Sequence, residues 1–553
     1  MASRMSEAER MAGKSARLSR DGNAENADAR NVRLKRAGHR PMTTRVPRDQ
    51  AGSPSFPRMI KNLVILGGGS AGLLAALTLR RLLPPLSVRV IRSPEIGVIG
   101  VGEGTTRAFP EFLFKHLSLP PGPFYSEAEP TWKLGARFLW GPRPYFHYTF
   151  SRMIDHRWPE LPKNNGFYGD VRFDCMDVWS ALMEHDRAFP RRADGVPDFQ
   201  NHGVVAFHIE NLKLVAYLDA RCRENGVAFT EATVTRVETG EPGIAALHLD
   251  TGERVTADLF VDASGFRSEL LGKALAEPFI SYQPTLFVDR AVIGGWPRTT
   301  EPIRPYTTAE TMDSGWCWQI EHEKWINRGY VYSSAHISDE AALAEFLRKN
   351  PQVANEPRVV RFRTGRYARM WVKNVVAIGN ASGFVEPLEA TALQVICDQS
   401  RTLAAALGDS VFDPTPTVTA LYNQFRALGW DSVRDFLAVH YRFNTRLDTP
   451  FWRECREKCD LAGAAQLCEF FQENGPSALG KSIFVSPHNS WGHEGFMALL
   501  VGQRVPYTRR HTPQPDEIAA WQARADTHSR AAQQGFTVAD TLRFIRDPRW
   551  RWG

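Results

Sequence analysis

The stretch Lys61-Asn-Leu-Val-Ile-Leu-Gly-Gly-Gly-Ser-Ala-Gly72 decides the fold. An apolar run, Leu63 to Leu66, meets glycines at 67, 68, 69 and 72, and an Ala- and Leu-rich segment follows from Leu73 to Leu83. That order reads as strand, tight turn, helix. In the spacing Gly67-x-Gly69-x-x-Gly72, Gly67 allows the turn. Gly69 lets backbone approach a pyrophosphate, and Gly72 lets helix and strand pack closely. Ser70 and Ala71 open the helix, whose N-terminal N–H groups and positive dipole end suit phosphate. The stretch therefore predicts a dinucleotide site in a doubly wound α/β domain. A glycine turn without function is the bland alternative.

Outward from this turn, composition sets limits. The chain has 553 residues and is 43% hydrophobic, as an ordinary globular protein is. No uninterrupted apolar run of membrane length and no signal-peptide core occurs, so the sequence predicts a cytoplasmic protein without a membrane span. Seven scattered cysteines without C-x-x-C predict reduced thiols and no metal site. The net charge of +7 comes from the N-terminus: residues 1–58 hold 13 Lys+Arg and 6 Asp+Glu, leaving 55 of each for the rest. A nucleic-acid face on the folded part is thereby disfavoured. Residues 1–58 read as a disordered basic extension, with Met59 a candidate true start.

A second strand is expected at Ser87–Ile91. The acid that often meets a ribose at its end is replaced by Arg92, which either meets a phosphate or lies on the surface. Gly97-Val-Ile-Gly-Val-Gly-Glu-Gly-Thr-Thr106 is a glycine loop whose backbone passes near something. Lys133 stands in a short strand-like run, where a lysine is ordinarily solvent-facing. Val261-Asp262-Ala-Ser-Gly ends another strand. Trp316 and Trp318 share one strand face by their spacing of two, which is more often core than chemistry. Val375 to Ile378 is an apolar strand ending at Gly379, and the Gly-Phe384-Val-Glu-Pro loop feeds a helix expected to begin near Glu389. The N–H groups of about Thr391 and Ala392 would form an anion cradle there, with Glu389 as dipole complement the structural alternative.

Taken in order, these segments resemble the flavin-dependent halogenases of the tryptophan-halogenase family, across roughly residues 59–452. The matching motifs are Gly67-Gly-Gly-Ser-Ala-Gly72, Ile99-Gly-Val-Gly-Glu-Gly-Thr105, Trp132-Lys-Leu-Gly-Ala-Arg-Phe138, Arg304-Pro-Tyr-Thr-Thr-Ala309, Ser314-Gly-Trp-Cys-Trp-Gln-Ile320, Phe384-Val-Glu-Pro-Leu-Glu389, Phe436-Leu-Ala-Val-His-Tyr441 and Asp448-Thr-Pro-Phe-Trp452. The resemblance implies an FAD-binding Rossmann-like domain of the flavin monooxygenase type, with a mixed substrate-cover region and a helical C-terminal part. Its core would span 59–410, discontinuous, with inserts at about 139–200 and 270–345. Residues 411–553 would be the mostly helical cover. It implies FAD contacts at Gly67, Gly69, Ser70, Ala71, Gly72, Gly102, Glu103, Gly104, Thr105, Asp262, Gly379 and Phe384. Halide would sit at Thr391 and Ala392, and Trp316 and Trp318 would keep the organic substrate from the flavin.

The implied activity is halogenation of an electron-rich aromatic such as an indole. FAD would arrive reduced from a separate flavin reductase, and O2 and chloride or bromide would give hypohalous acid. Lys133 would hydrogen-bond that acid or become a haloamine, and Glu389 would polarise it or take the ring proton. A homodimer is compatible with the sequence. A flavin monooxygenase of the same fold and a non-catalytic flavin-binding protein are the alternatives. Three departures stand out: Glu321-His322 replace the signature proline, Ala392 replaces a glycine and is expected to crowd the halide pocket, and Pro487-His-Asn-Ser-Trp-Gly-His-Glu-Gly-Phe496 lacks the tryptophan grip.

Overall fold

The strand Asn62–Leu66 pairs in parallel with Ser87–Arg92 on one side and with Leu259–Asp262 on the other. It sits inside a six-stranded sheet whose order is 371–372, 375–377, 259–262, 62–66, 87–92, 228–231. Only the 371–372 edge is antiparallel. The apolar runs read from sequence are what a parallel sheet covered on both faces requires: Leu63, Val64 and Ile65 are buried. The helix Ser70–Leu82 follows the glycine turn and buries Gly72 through Leu79. It packs against the helices Asn211–Glu224 and Ala392–Asp409. The fold is the expected doubly wound α/β arrangement.

This computed structural model describes residues 59–97, 102–199, 205–482, 484–485, 489–508 and 511–552. The expected extension 1–58, much of the glycine-loop motif and the start of the 487–496 segment lie outside the described residues. A second, seven-stranded sheet runs in the order 358–361, 290–297, 325–332, 315–321, 307–312, 135–139, 146–149. Long helices, Pro416–Phe443 among them, form the C-terminal part. Among the described residues no helix is long and apolar enough to cross a membrane. All seven cysteines are unpaired and buried.

Two sequence expectations change. The helix does not begin near Glu389. Pro387–Glu389 form a single 3-10 turn, Ala390 adopts a left-handed conformation at φ 56°, and the helix starts at Ala392. Pro387 favours the tight turn, and Ala390 then reverses the chain at a cost of about 1 kcal/mol. The second change is the missing proline. Glu321 is buried and forms an ion pair with Arg298, so the charge at the end of this strand is neutralised internally. The main chain there is also tied down: Arg298 Nε donates to the His322 carbonyl (3.1 Å), and Thr131 Oγ1 donates to the Glu321 carbonyl.

Candidate active site

The glycine turn comes first. Gly67 has φ +126°, and a side chain there would strike the Ala263 carbonyl oxygen at 2.3 Å. A Cβ on Gly72 would fall 1.9 Å from the Gly67 carbonyl oxygen, whereas beside Gly69 nothing lies within 4 Å. Two glycines are thus dictated by close approach and the third faces open space, the cradle a pyrophosphate needs. Ala71 meets the strand-end loop of Gly379, whose Cβ would lie 2.9 Å from the Ala71 methyl. Ser70 Oγ donates to Asn211 Oδ1 (2.8 Å). The residues present fit an FAD.

Several expected cofactor residues are engaged within the protein. Asp262 is fully buried and accepts from Ser264 N, Ser264 Oγ, Leu270 N and Leu271 N at 2.5–3.1 Å. Its carboxylate shapes the turn opposite Gly67. Thr105 Oγ1 accepts from Phe207 N (2.9 Å) and so fastens a strand. The Phe384 ring packs edge-on against Phe266 (4.8 Å). Glu103 carries a carboxyl raised by burial to about 7.

Arg92 is explained. Its guanidinium pairs with Asp219 and Glu231, both at 2.7 Å, and its stem packs over the turn, where a Cβ on Gly68 would touch it at 2.5 Å. The ion pairs are half-exposed and contribute at most about 1 kcal/mol. Replacing Arg92 by Leu is expected to leave FAD affinity unchanged in a fluorescence titration. A large loss would return Arg92 to the phosphate.

The second centre is built where a small sheet meets the seven-stranded one. Ala206–Ile209 pairs with Glu103–Gly104 on one edge and Thr131–Lys133 on the other, with Gly104 opposite His208 and Lys133 opposite Ala206. Lys133 is only 4% exposed, which excludes the solvent-facing reading. Desolvation lowers its ammonium to about 8, with the charge of Glu389 opposing that shift. The Lys133 Nζ also lies over the Phe150 ring, 5.7 Å from its centroid.

Glu389 is held from two sides. His440 Nε2 donates to Oε1 (2.7 Å) and Trp491 Nε1 donates to Oε2 (3.3 Å). His440 is fully buried, and its carbonyl accepts from Trp140 Nε1 (2.9 Å). Trp491 stacks on Phe436 (4.4 Å, 13°). Tyr148 is nearby: burial and then the charges of Glu389 and Glu494 push its phenol well up. Sequence reasoning did not single out His440, Tyr148, Phe150 or Trp491. His440 stands in a quoted motif, and Trp491 in the segment set aside as a mismatch. Replacing Trp491 by Phe keeps the stacking and removes one donor, so turnover number is expected to fall about fivefold to tenfold with little change in melting temperature.

At the expected halide position, Thr391 is buried just before the helix Ala392–Asp409, whose first N–H groups have no intrahelical acceptor. Trp316 and Trp318 lie on one face of the strand Gly315–Glu321, both buried, with ring centroids 6.0 Å apart. Trp318 lies over Gly329, where a Cβ would fall 1.9 Å from its ring. The carboxylate in the C-terminal segment, Glu494, is spent on the N–H groups of Met153, Ile154 and Asp155 at 2.7–2.9 Å.

A family model for tryptophan halogenases matches residues 62–519. The tryptophan 6-halogenase ThaL of Streptomyces albogriseolus is 33% identical over 429 residues, covering 72% of this chain and 79% of the relative. Among solved structures, MibH, a lathipeptide tryptophan 5-halogenase, superposes with a TM-score of 0.80 at 37% identity, covering 89% of this chain and 95% of that one. BrvH, a flavin-dependent halogenase from Brevundimonas sp. BAL3, superposes with a TM-score of 0.77 at 27% identity, covering 89% of this chain and 100% of its own.

Proposed function

The chain belongs to the tryptophan halogenase family, and from that premise we propose that it is a flavin-dependent halogenase acting on an electron-rich aromatic ring such as an indole. Supporting this most directly is Lys133, a buried, desolvated amine that feels the charge of Glu389, a carboxylate fixed by His440 and Trp491. Gly67, Gly69 and Gly72 would hold FAD, delivered reduced by a separate flavin reductase. Reduced FAD, when bound, supplies the O2-activating chemistry that converts halide to hypohalous acid.

The protein's own residues then divide the work. The helix N-terminus at Thr391 and Ala392 concentrates halide by its unpaired N–H groups. Lys133, lowered to about 8, offers a neutral amine in a meaningful fraction of molecules near neutral pH. That amine receives the halogen and presents it to the substrate ring. Glu389 accepts the proton the ring loses, with its orientation fixed by its two donors. Phe150, Tyr148 and Trp491 supply aromatic walls.

The test combines purified protein, a flavin reductase, NADH, bromide and indole substrates, read by mass spectrometry. A bromine-bearing product supports the reading. An oxygenated product without bromine would overturn it in favour of a monooxygenase. The likeness to MibH and the engagement of Glu494 with backbone support including a peptide-borne tryptophan beside the free amino acid. Chloride and bromide are supplied in separate reactions, so that the halide preference is read directly.

A further inference from the structure

Gln394 stands in the first turn of the helix Ala392–Asp409, shortly after the expected halide position, and its side chain is buried. Its amide is engaged at both ends. Thr106 Oγ1 donates to Gln394 Oε1 (2.7 Å), and Gln394 Nε2 donates to Ser490 Oγ. Both partners are hydroxyls, which can donate or accept, so the bridge stands whichever way the amide is turned. One side chain thus joins the end of the glycine loop, the start of this helix and the C-terminal segment around Trp491.

What depends on Ser490 is its neighbour Trp491, a donor to Glu389 (3.3 Å). The stretch Asn489–Trp491 leads into the helix Gly492–Gly502 and is fastened at several points. Asn489 Oδ1 accepts from Trp491 N and Gly492 N, both at 3.0 Å, which turns the chain into the helix. Asn489 Nδ2 donates to the Ser432 carbonyl (3.4 Å), and the Trp491 ring stacks on Phe436. Both of those ties run to the helix Pro416–Phe443. Gln394 supplies the tie to the other helix, the one that follows Glu389. Its far end is equally firm. Thr105, beside Thr106, donates its N–H to the Phe207 carbonyl (2.8 Å) and accepts from Phe207 N at Oγ1 (2.9 Å). Phe207 lies on the strand that pairs with Thr131–Lys133.

We propose that Gln394 is a positioning residue for halogenation: through Ser490 it sets the approach of Trp491 to Glu389, and through Thr106 it ties that approach to the glycine loop. This rests on the role given above to Glu389. A carboxylate that takes the ring proton must face that proton, so small errors in its orientation cost turnover. Of its donors, His440 is fully buried within a long helix and has little freedom. Trp491 stands on a turn at a helix start, and its direction is only as good as its anchors. Ser490 is exposed and could turn to water, whereas the buried amide of Gln394 could not, so the bridge is held from the inside.

The test is a double-mutant cycle on the full chain, supplied with FAD, a flavin reductase, NADH, bromide and indole, and read as turnover to bromoindole. Gln394→Met keeps the length of the side chain and removes both bonds, and Ser490→Ala removes the exposed end alone. Each is expected to lower the turnover number about fivefold, with KM for bromide unchanged. In a Trp491→Phe background neither should cost more than about a further 1.5-fold, because the bond they support is already gone. Ser490→Thr keeps the hydroxyl and should restore wild-type turnover. Losses that multiply with that of Trp491→Phe overturn the proposal, since a merely structural role would add to it. Wild-type turnover in either single variant overturns it too, as does a loss that Ser490→Thr shares in full. If Gln394→Met does not fold, Ser490→Ala at the surface is read in its place. Should Glu389→Gln itself keep wild-type turnover, the reading of Glu389 fails instead, a result that separates the two ideas.

Discussion

Replacing Lys133 by Met is expected to abolish halogenation, by about a thousandfold or more, while making the protein more stable. The two effects share one cause. The lysine is buried, and desolvation lowers its pKa from 10.5 to about 8 in the folded protein. A shift of that size corresponds to a cost on the order of 3 kcal/mol for holding the ammonium inside. Below pH 8 the lysine is charged in both folded and unfolded chains, and the cost is present in full. Between pH 8 and about 10.5 the folded protein binds fewer protons than the unfolded chain, so stability rises with pH. Above that range the cost has gone. The Met variant has no such dependence. Denaturant melts at pH 7 and pH 10 should therefore show a large stability gain at pH 7 that shrinks at pH 10. A variant less stable at pH 7 would mean that Lys133 holds the fold together. Residual halogenation near wild-type rates would remove it from the chemistry.

Gly72→Ala is the second large effect. The methyl would fall 1.9 Å from the Gly67 carbonyl oxygen and 3.4 Å from Ile65. Neither neighbour is a flexible side-chain end, so the turn must move away from the helix. FAD affinity is expected to drop about a hundredfold or more, together with a fall in melting temperature of several degrees. Gly69→Ala is the control. Its methyl would meet nothing within 4 Å, and the residue has φ −82°, which alanine adopts freely. That variant should melt as the wild type does and still bind FAD about tenfold more weakly, because the methyl projects where the pyrophosphate approaches. Equal FAD affinity in Gly69→Ala and wild type would show that the cofactor does not pass this face.

The parts legible from sequence were those fixed by local spacing. The strand before Gly67 and the helix after it follow from apolar periodicity and three glycines, and both lie where expected. Trp316 and Trp318 share a face because a strand has a period of two. Lys133 was different. Residue by residue it looked like a surface lysine, and only a resemblance across motifs pointed to it. Its burial depends on pairing with residues 206–209, which no local pattern announces. His440 and Trp491 were missed for the same reason. Each meets its partner only after the chain has returned from another sheet or helix. The helix start was misjudged because a left-handed alanine leaves no compositional mark, unlike glycine or asparagine. Arg92 looked anomalous only because its partners Asp219 and Glu231 arrive from a distant helix and strand.

The order of the six-stranded sheet has a consequence for how the chain is made. The strand 62–66 leaves the ribosome early, yet its inner neighbour 259–262 and then 375–377 follow only after long intervening segments. Until they arrive, an apolar edge with unpaired backbone groups stays open in the nascent chain. Closing such distant parallel pairings is slow and exposes the chain to aggregation. The yield of folded protein then depends on how long that edge stays open as well as on the stability of the finished chain.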